Sequence, residues 1–189
     1  MEGIINLYFV LTFLLTCHSI NANDIQYSKC LETRVYCQSL PPNCVQENSR
    51  CDTLLIASPV VNTSKGQDKV QFELFGRIDE SKQKWFAMGL SSDQKMGNDS
   101  VTEIYVSSDG KHQEMRQSWN GIKPQNEILS PPVTGITQIG PVSNSDGILG
   151  AKWIRDAVTD VHSNRFDIIN NKYNILLASG PTDADNSKQ

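Results

Sequence analysis

The residue whose chemistry stands out most from its surroundings is Met96, the single apolar residue in the polar segment 91–100. A lone Met in such a loop has little core to fill. One interpretation is that Met96 caps one end of the fold. The other is that its thioether lines a pocket or acts as a ligand, because Met sulfur is soft and suits iron or copper. The local sequence leaves both interpretations open.

Catalytic patterns are sparse in the rest of the chain. Beyond the N-terminal segment there are two histidines, His112 and His162, and neither belongs to a spaced pair such as H-x-x-x-H. The sequence contains no G-x-S-x-G turn and no phosphate-binding glycine loop. Each histidine is predicted to be a solvated loop residue rather than a ligand. We therefore predict no catalytic residues, no metal site and no enzymatic activity.

Five aromatic residues could stack on a sugar ring: Trp85, Trp119, Trp153, Tyr105 and Tyr173. Each lies in a strand-like run, where large rings usually bury their area in a core. Core packing is therefore the prediction for any single ring. Trp119 is the best candidate for an exposed platform, because polar residues and a glycine surround it.

The elements around these residues have the period of β-strands. Residues 70–78 and 148–155 alternate apolar with polar side chains, and residues 85–90 resemble a strand buried on both faces. Further strands are predicted at 54–61, 101–107, 112–119, 166–169 and 173–179, with a turn at Asp109-Gly110. Residues 120–147 are expected to form a long loop with one or two short strands, and Gly76 is a candidate bulge. No segment has sustained helical periodicity, so the fold class is an all-β antiparallel sandwich.

The N-terminus has the pattern of a signal peptide. Residues 4–15 are almost continuously apolar, which is too short for a membrane span, and small polar residues follow up to Ala22. No later segment is apolar enough to span a bilayer, and residues 182–189 lack the pattern of a lipid anchor. With a net charge of −4 and no basic run, nucleic acid is not an expected partner. A secreted, extracellular protein is predicted.

Four cysteines remain after the predicted signal peptide, Cys30, Cys37, Cys44 and Cys51, all within 22 residues. An even number in a secreted chain predicts two disulfides, and the spacing is too wide for a typical zinc site. A hairpin centred after Leu40 would place Cys30 opposite Cys51 and Cys37 opposite Cys44. This nested pairing is the prediction.

Two stretches resemble the DOMON family, an extracellular β-sandwich that binds haem b or sugars. The first is residues 85–101, with the motif W-x-A-x-G-x-S, then Met-Gly, an acidic residue and an apolar strand. The second is the ending F-D-x6-Y-x-x-L-x-A-x-G-P, and the cysteine segment resembles the lead-in before some animal members. The resemblance implies a sandwich of immunoglobulin-like layers. The predicted domain bounds are a signal peptide at 1–22, a cysteine-rich lead-in at 23–53, the sandwich at 54–181 and a disordered tail at 182–189.

The same resemblance bears on haem. In haem-binding members the loop Met is one axial ligand, and Met96 matches that position. The second ligand is a His downstream of the final strand, whereas here residues 182–189 contain no His and His162 precedes the strand. The resemblance thus supports the fold more than the cofactor, so haem b is an alternative and no cofactor is firmly predicted. We expect the purified protein to be colourless or to bind haem weakly.

Two sequons in a secreted chain predict N-glycosylation, one at Asn62 and one at Asn98. A glycan on Asn98 would crowd a cofactor beside Met96, so occupancy there would argue against haem. Two classes of function remain from the sequence. The first is a secreted, non-enzymatic module that binds a sugar, another small ligand or an extracellular protein. The second is an extracellular haem-b electron-transfer domain with Met96 as an axial ligand.

Overall fold

The computed structural model describes residues 27–47, 49–60, 68–78, 84–107, 111–121, 126–130 and 133–182. Within these ranges a short 3-10 helical turn, Tyr27–Leu31, precedes thirteen β-strands. The strands are β1 Tyr36–Leu40, β2 Thr53–Val60, β3 Lys69–Arg77, β4 Lys84–Ser91, β5 Asp99–Val106, β6 Gln113–Asn120, β7 Asn126–Ile128, β8 Ile136–Gln138, β9 Ser143–Ser145, β10 Ile148–Asp156, β11 Val158–Val161, β12 Asn164–Asp167 and β13 Asn174–Pro181.

The strands form two main sheets, and every strand pairing is antiparallel. The first sheet has the order β1-β2-β3-β10-β8, with β9 also paired to β10. The second sheet has the order β13-β4-β5-β6-β7, and β11 and β12 form a separate hairpin. The predicted all-β antiparallel sandwich is confirmed. The described residues of the segment 120–147 form three short strands, β7, β8 and β9, instead of one or two.

The core lies between the two sheets and follows the alternation of the sequence. Phe72 and Leu74 of β3, with Leu149, Ala151 and Trp153 of β10, all point inward, as predicted. They meet a matching set from the second sheet: Phe86 and Met88 of β4, and Ile104 and Val106 of β5. Because side chains on a strand alternate between its two faces, one apolar residue in two is enough to build each layer of this core.

Gly76 does not form the predicted bulge. The ladder continues through it on both sides, because Gly76 is opposite Thr53 of β2 and Leu149 of β10. A Cβ atom at this position would lie 2.3 Å from three atoms of the Phe86 ring. The glycine is therefore needed for the close approach of a ring from the opposite sheet, not for a break in the strand.

The cysteine-rich lead-in belongs to the first sheet, where β1 is the edge strand beside β2. Its side chains pack on the outer face of that sheet against the buried Leu54 and Ile56. Lys29 adds an ion pair, with Nζ 2.9 Å from a carboxylate oxygen of the buried Glu73. The lead-in thus covers apolar surface that would otherwise face water.

All four predicted cysteines form disulfides, but the nested pairing is wrong. Cys30 pairs with Cys37 and Cys44 pairs with Cys51, with Cα–Cα distances of 5.7 and 5.4 Å. The nested pairing fails because β1 pairs with β2 and not with the segment that carries Cys44 and Cys51. Cys37 lies opposite Ile56 of β2, and residues 41–47 form turns rather than the second strand of a hairpin. The first two cysteines therefore bond to each other, and so do the last two.

Several predictions fall outside the described residues. These are the signal peptide at 1–22, the sequon at Asn62, the Asp109-Gly110 turn and all of the tail except Thr182. The strands that flank that turn, β5 and β6, do pair in antiparallel register. In the part of the chain that the structure describes, no helix has the length and apolar character to cross a membrane.

Candidate functional site

The loop that carries Met96 joins β4 to β5 and is held by its own polar groups. Asp93 accepts a hydrogen bond from the Lys95 amide, and the Gly97 amide donates to Asp99 Oδ2 at 2.8 Å. Gly97 has a φ of 138°, which favours glycine. Met96 is 73% exposed, so the interpretation that it caps the core is wrong. Its thioether faces solvent, where a ligand could reach it.

His162 lies at the same end of the second sheet. It occupies the turn between β11 and β12, where His162 and Ser163 both have positive φ. Its ring stacks on Trp119 of β6, with centroids 5.1 Å apart and an interplanar angle of 14°. Trp119 is opposite Ser100, near the beginning of β5 and four residues after Met96. The fold thus places His162 against Trp119, whose partner on β5 lies four residues after Met96.

The imidazole of His162 has one nitrogen near a carboxylate. Nδ1 lies 3.8 Å from Glu127 Oε2, and the side chain is 45% exposed. The half exposure agrees with the predicted loop position, whereas the stacking on Trp119 was not foreseen. His112 is 64% exposed and lies at the other end of β6, where Nε2 is 3.1 Å from Glu114. His162 stacks face to face on a buried tryptophan, whereas His112 meets the Tyr105 ring edge-on at 6.1 Å.

Trp119 is not the exposed sugar platform that its polar neighbours suggested. It is 4% exposed and packs with Leu90, Val161 and Phe166, whereas its adjacent polar neighbours Ser118 and Asn120 face the other side of β6. Trp153 and Tyr105 are also buried, and Trp85 is half-buried against Gly180. Core packing, the alternative favoured from the sequence, is confirmed for Trp119 and Trp153.

Beside the Trp119 cluster, Arg155 of β10 places a cation inside the sandwich. It is 1% exposed, and burial lowers its pKa to about 10, so it remains protonated at neutral pH. Nε and Nη2 both donate to Thr159 Oγ1, and Nη1 donates across to Ser100 Oγ of the second sheet at 3.0 Å. The guanidinium also lies 5.1 Å from the centroid of Phe166. Sequence reasoning did not single out this residue, although Arg155 shares the inward-facing phase of β10 with Leu149, Ala151 and Trp153.

An open groove of about 520 Å³ runs between the edges of the two sheets. Its sides are β6 and β7 of the second sheet and β8 of the first. We call it the β6–β8 groove and define it by Glu114, Arg116 and Gln117 of β6, Ile128 of β7, and Thr137 and Gln138 of β8. The groove combines a carboxylate, a guanidinium, two amides and a hydroxyl with apolar surface. No sequence motif indicated it, because its two sides come from strands whose packing is set only by the fold.

Glu114 is the acidic group of this groove. Burial raises its pKa, but hydrogen bonds from His112 and Tyr105 and the charge of Arg116 lower the pKa by more. Its Oε2 accepts the Tyr105 hydroxyl at 2.9 Å, while the Arg116 guanidinium lies 3.6 Å from the centroid of the Tyr105 ring. Glu114 is therefore a fixed, ionised acceptor at neutral pH.

The second sequon, at Asn98, is exposed in the Met96 loop, and its glycosylation stays a prediction.

Comparison with known proteins agrees with the fold. The family model of the DOMON domain matches residues 60–180, which is more than half of the chain. A curated Drosophila melanogaster protein named "Putative ferric-chelate reductase 1 homolog" is 30% identical over 166 residues, covering 88% of this chain. The chain spans only 24% of that relative's length. No solved structure gave a significant match. The resemblance inferred from the motif around Met96 is thus confirmed by the family model, and the chain belongs to the DOMON domain family.

Proposed function

We propose that the protein is a secreted, non-enzymatic ligand-binding module that takes a small polar ligand, such as a sugar, in the β6–β8 groove. The observation that carries this proposal is the groove itself. Its volume of about 520 Å³ suits one or two sugar rings, since ligand pockets are commonly a few hundred Å³. Secretion is supported by the apolar N-terminal segment and by the two disulfides, which form in oxidising compartments.

The chemistry of the groove favours binding over catalysis. A sugar offers hydroxyl groups, which donate to carboxylates and amide oxygens and accept from guanidinium and amide N–H groups. The groove supplies these partners from both sides, with Glu114 and Arg116 on β6 and Gln138 on β8. A general acid needs a raised pKa to hold its proton at neutral pH, whereas that of Glu114 is lowered. The residue thus serves as a hydrogen-bond acceptor.

The test is a calorimetric titration with a panel of soluble mono- and disaccharides, followed by the Glu114→Gln variant. We expect Glu114→Gln to weaken binding of any active sugar about tenfold, the effect of losing one hydrogen bond to a charged group. Binding should also weaken as the pH falls through the lowered pKa of Glu114, because the acceptor is then protonated.

Glu127→Gln is the matched control, because Glu127 is an exposed carboxylate of the neighbouring strand that does not line the groove. It should bind the sugar as the wild type does. Failure of every sugar in the panel to bind, or equal weakening in both variants, would contradict the proposal.

A second candidate function is an extracellular haem-b electron-transfer domain. The observation that favours it is that the Met96 loop and the stacked pair of Trp119 and His162 lie at the same end of the second sheet. The residues fit the group in two respects: the Met96 thioether is exposed, and the His162 ring is oriented by Trp119 and Glu127 while still half exposed. A histidine that binds a metal through one ring nitrogen is commonly oriented by a hydrogen bond from its other ring nitrogen. A haem held by Met and His would supply one-electron transfer, and the name of the Drosophila relative refers to iron reduction.

Haem reconstitution separates the two functions. Under the ligand-binding proposal, protein mixed with haemin and then reduced shows no sharp α and β bands. Under the second candidate, the wild type shows sharp bands. These bands are lost in Met96→Ala and in His162→Ala, and they are kept in the control His112→Ala. Met96→Ala should change the free energy of unfolding by less than about 0.5 kcal/mol, because the side chain is exposed. Loss of the bands could then not be attributed to unfolding.

A further inference from the structure

One carboxylate at the start of β5, directly after the Met96 loop, is buried without a complete set of partners. Asp99 is 0% exposed. Its Oδ2 accepts the Gly97 amide, whereas Oδ1 is buried and no group in the described part of the chain donates to it. Leaving a buried charged oxygen unpaired is costly, so such a group usually has a specific partner.

The register of the second sheet shows which groups surround Asp99. Leu90 is opposite Ser100, so Ser91 and Asp99 are the next neighbours across β4 and β5. Asp99 is opposite Asn120 of β6, and Asn120 is opposite Asn126 of β7. Side chains at opposed positions share one face of a sheet, with Cβ atoms about 5 Å apart. We call Ser91, Asp99, Asn120 and Asn126 the oxygen row.

Every member of the oxygen row carries a side-chain oxygen, and the loop adds more. The Ser91 hydroxyl lies 3.4 Å from both the Asp93 carboxylate and the Lys95 carbonyl. Asn126 Nδ2 donates to Asn120 Oδ1 at 2.8 Å, so that amide oxygen is held in place. Hard cations take ligands of this kind, and Ca²⁺ in particular accepts irregular sets of carboxylate, amide, hydroxyl and carbonyl oxygens. The row has no imidazole or thiolate to favour a softer metal.

We propose that Asp99 is the carboxylate ligand of a calcium site in the oxygen row, with neutral oxygens from Ser91 and Asn120. A site with a single buried carboxylate binds Ca²⁺ weakly, with a Kd of about 0.1–1 mM, in the range of extracellular modules. Because Asp99 also holds the Gly97 amide, a bound cation would order the loop that presents Met96. The proposal does not depend on the ligand of the β6–β8 groove.

Thermal unfolding of EDTA-treated protein tests the site. Addition of 10 mM CaCl₂ should raise the Tm by about 3–10 °C, since a ligand at 10 to 100 times its Kd stabilises the folded state. In Asp99→Asn the amide oxygen can still accept the Gly97 N–H, so the Tm in EDTA should not fall. The response to calcium should be lost.

Asp146→Asn is the matched control, because Asp146 is exposed in the turn before β10 and its φ of 53° is one that asparagine tolerates. It should keep the full response to calcium. As a test that needs no variant, Tb³⁺ added to the wild type should give emission sensitised through Trp119, and Ca²⁺ should compete with it. Absence of both the Tm shift and the emission, or a full calcium response in Asp99→Asn, would overturn the proposal.

Discussion

Gly76→Ala is expected to lower the free energy of unfolding by about 3 kcal/mol, at the upper end for an overpacked core. The added methyl group would lie 2.3 Å from the Phe86 ring, which is 1% exposed and packed between the two sheets. Neither group can move away easily, because Gly76 is paired on both sides and Phe86 is surrounded by the core. Urea denaturation at pH 7 measures the effect.

Gly89→Ala is the matched control, since it makes the same change in another strand of the sandwich. The nearest atom to its added Cβ would be 3.5 Å away, an ordinary contact. This variant should lie within about 1 kcal/mol of the wild type, because a tolerated alanine also restricts the unfolded chain. Adding Phe86→Leu should recover part of the stability lost in Gly76→Ala. Equal losses in the two glycine variants would show that the ring of Phe86 is not the cause.

Arg155→Ala is expected to cost about 3 kcal/mol, because it leaves a cavity and removes the hydrogen bonds to Thr159 and Ser100. Arg155→Met keeps most of the volume. The methionine variant also avoids the desolvation cost of a buried charge, which offsets the lost hydrogen bonds. Its free energy of unfolding should therefore lie within about 1 kcal/mol of the wild type. Equal losses in the two variants would show that the hydrogen bonds, not packing, dominate.

The pH dependence of the same pair gives an independent check. Burial lowers the pKa of Arg155 from its ordinary value to about 10 in the folded state. Above pH 10 the unfolded chain still binds the proton and the folded chain does not, so the wild type gains stability as pH rises. Below about pH 9 Arg155 is protonated in both the folded and the unfolded chain. The stability of wild type relative to Arg155→Met should therefore be flat at neutral pH and increase above pH 10.

The sequence alone determined the architecture, because local periodicity states which face of each strand is apolar. The alternation in β3, β4 and β10 predicted both layers of the core, and the motif around Met96 predicted the family. The even number of cysteines predicted two disulfides. Each of these features depends on residues that are close together in the chain.

The tertiary structure decided which residues meet across the sheets. The cysteine pairing depended on β1 joining β2, and the burial of Trp119 depended on Val161 and Phe166 of the β11–β12 hairpin. The contact of Arg155 with Ser100 and the alignment of Asp99 with Ser91 and Asn120 depend on packing and register. A shift of one residue in register would move every side chain of a strand to its other face. Local periodicity carries no information about such distant partners, so only the folded chain could reveal them.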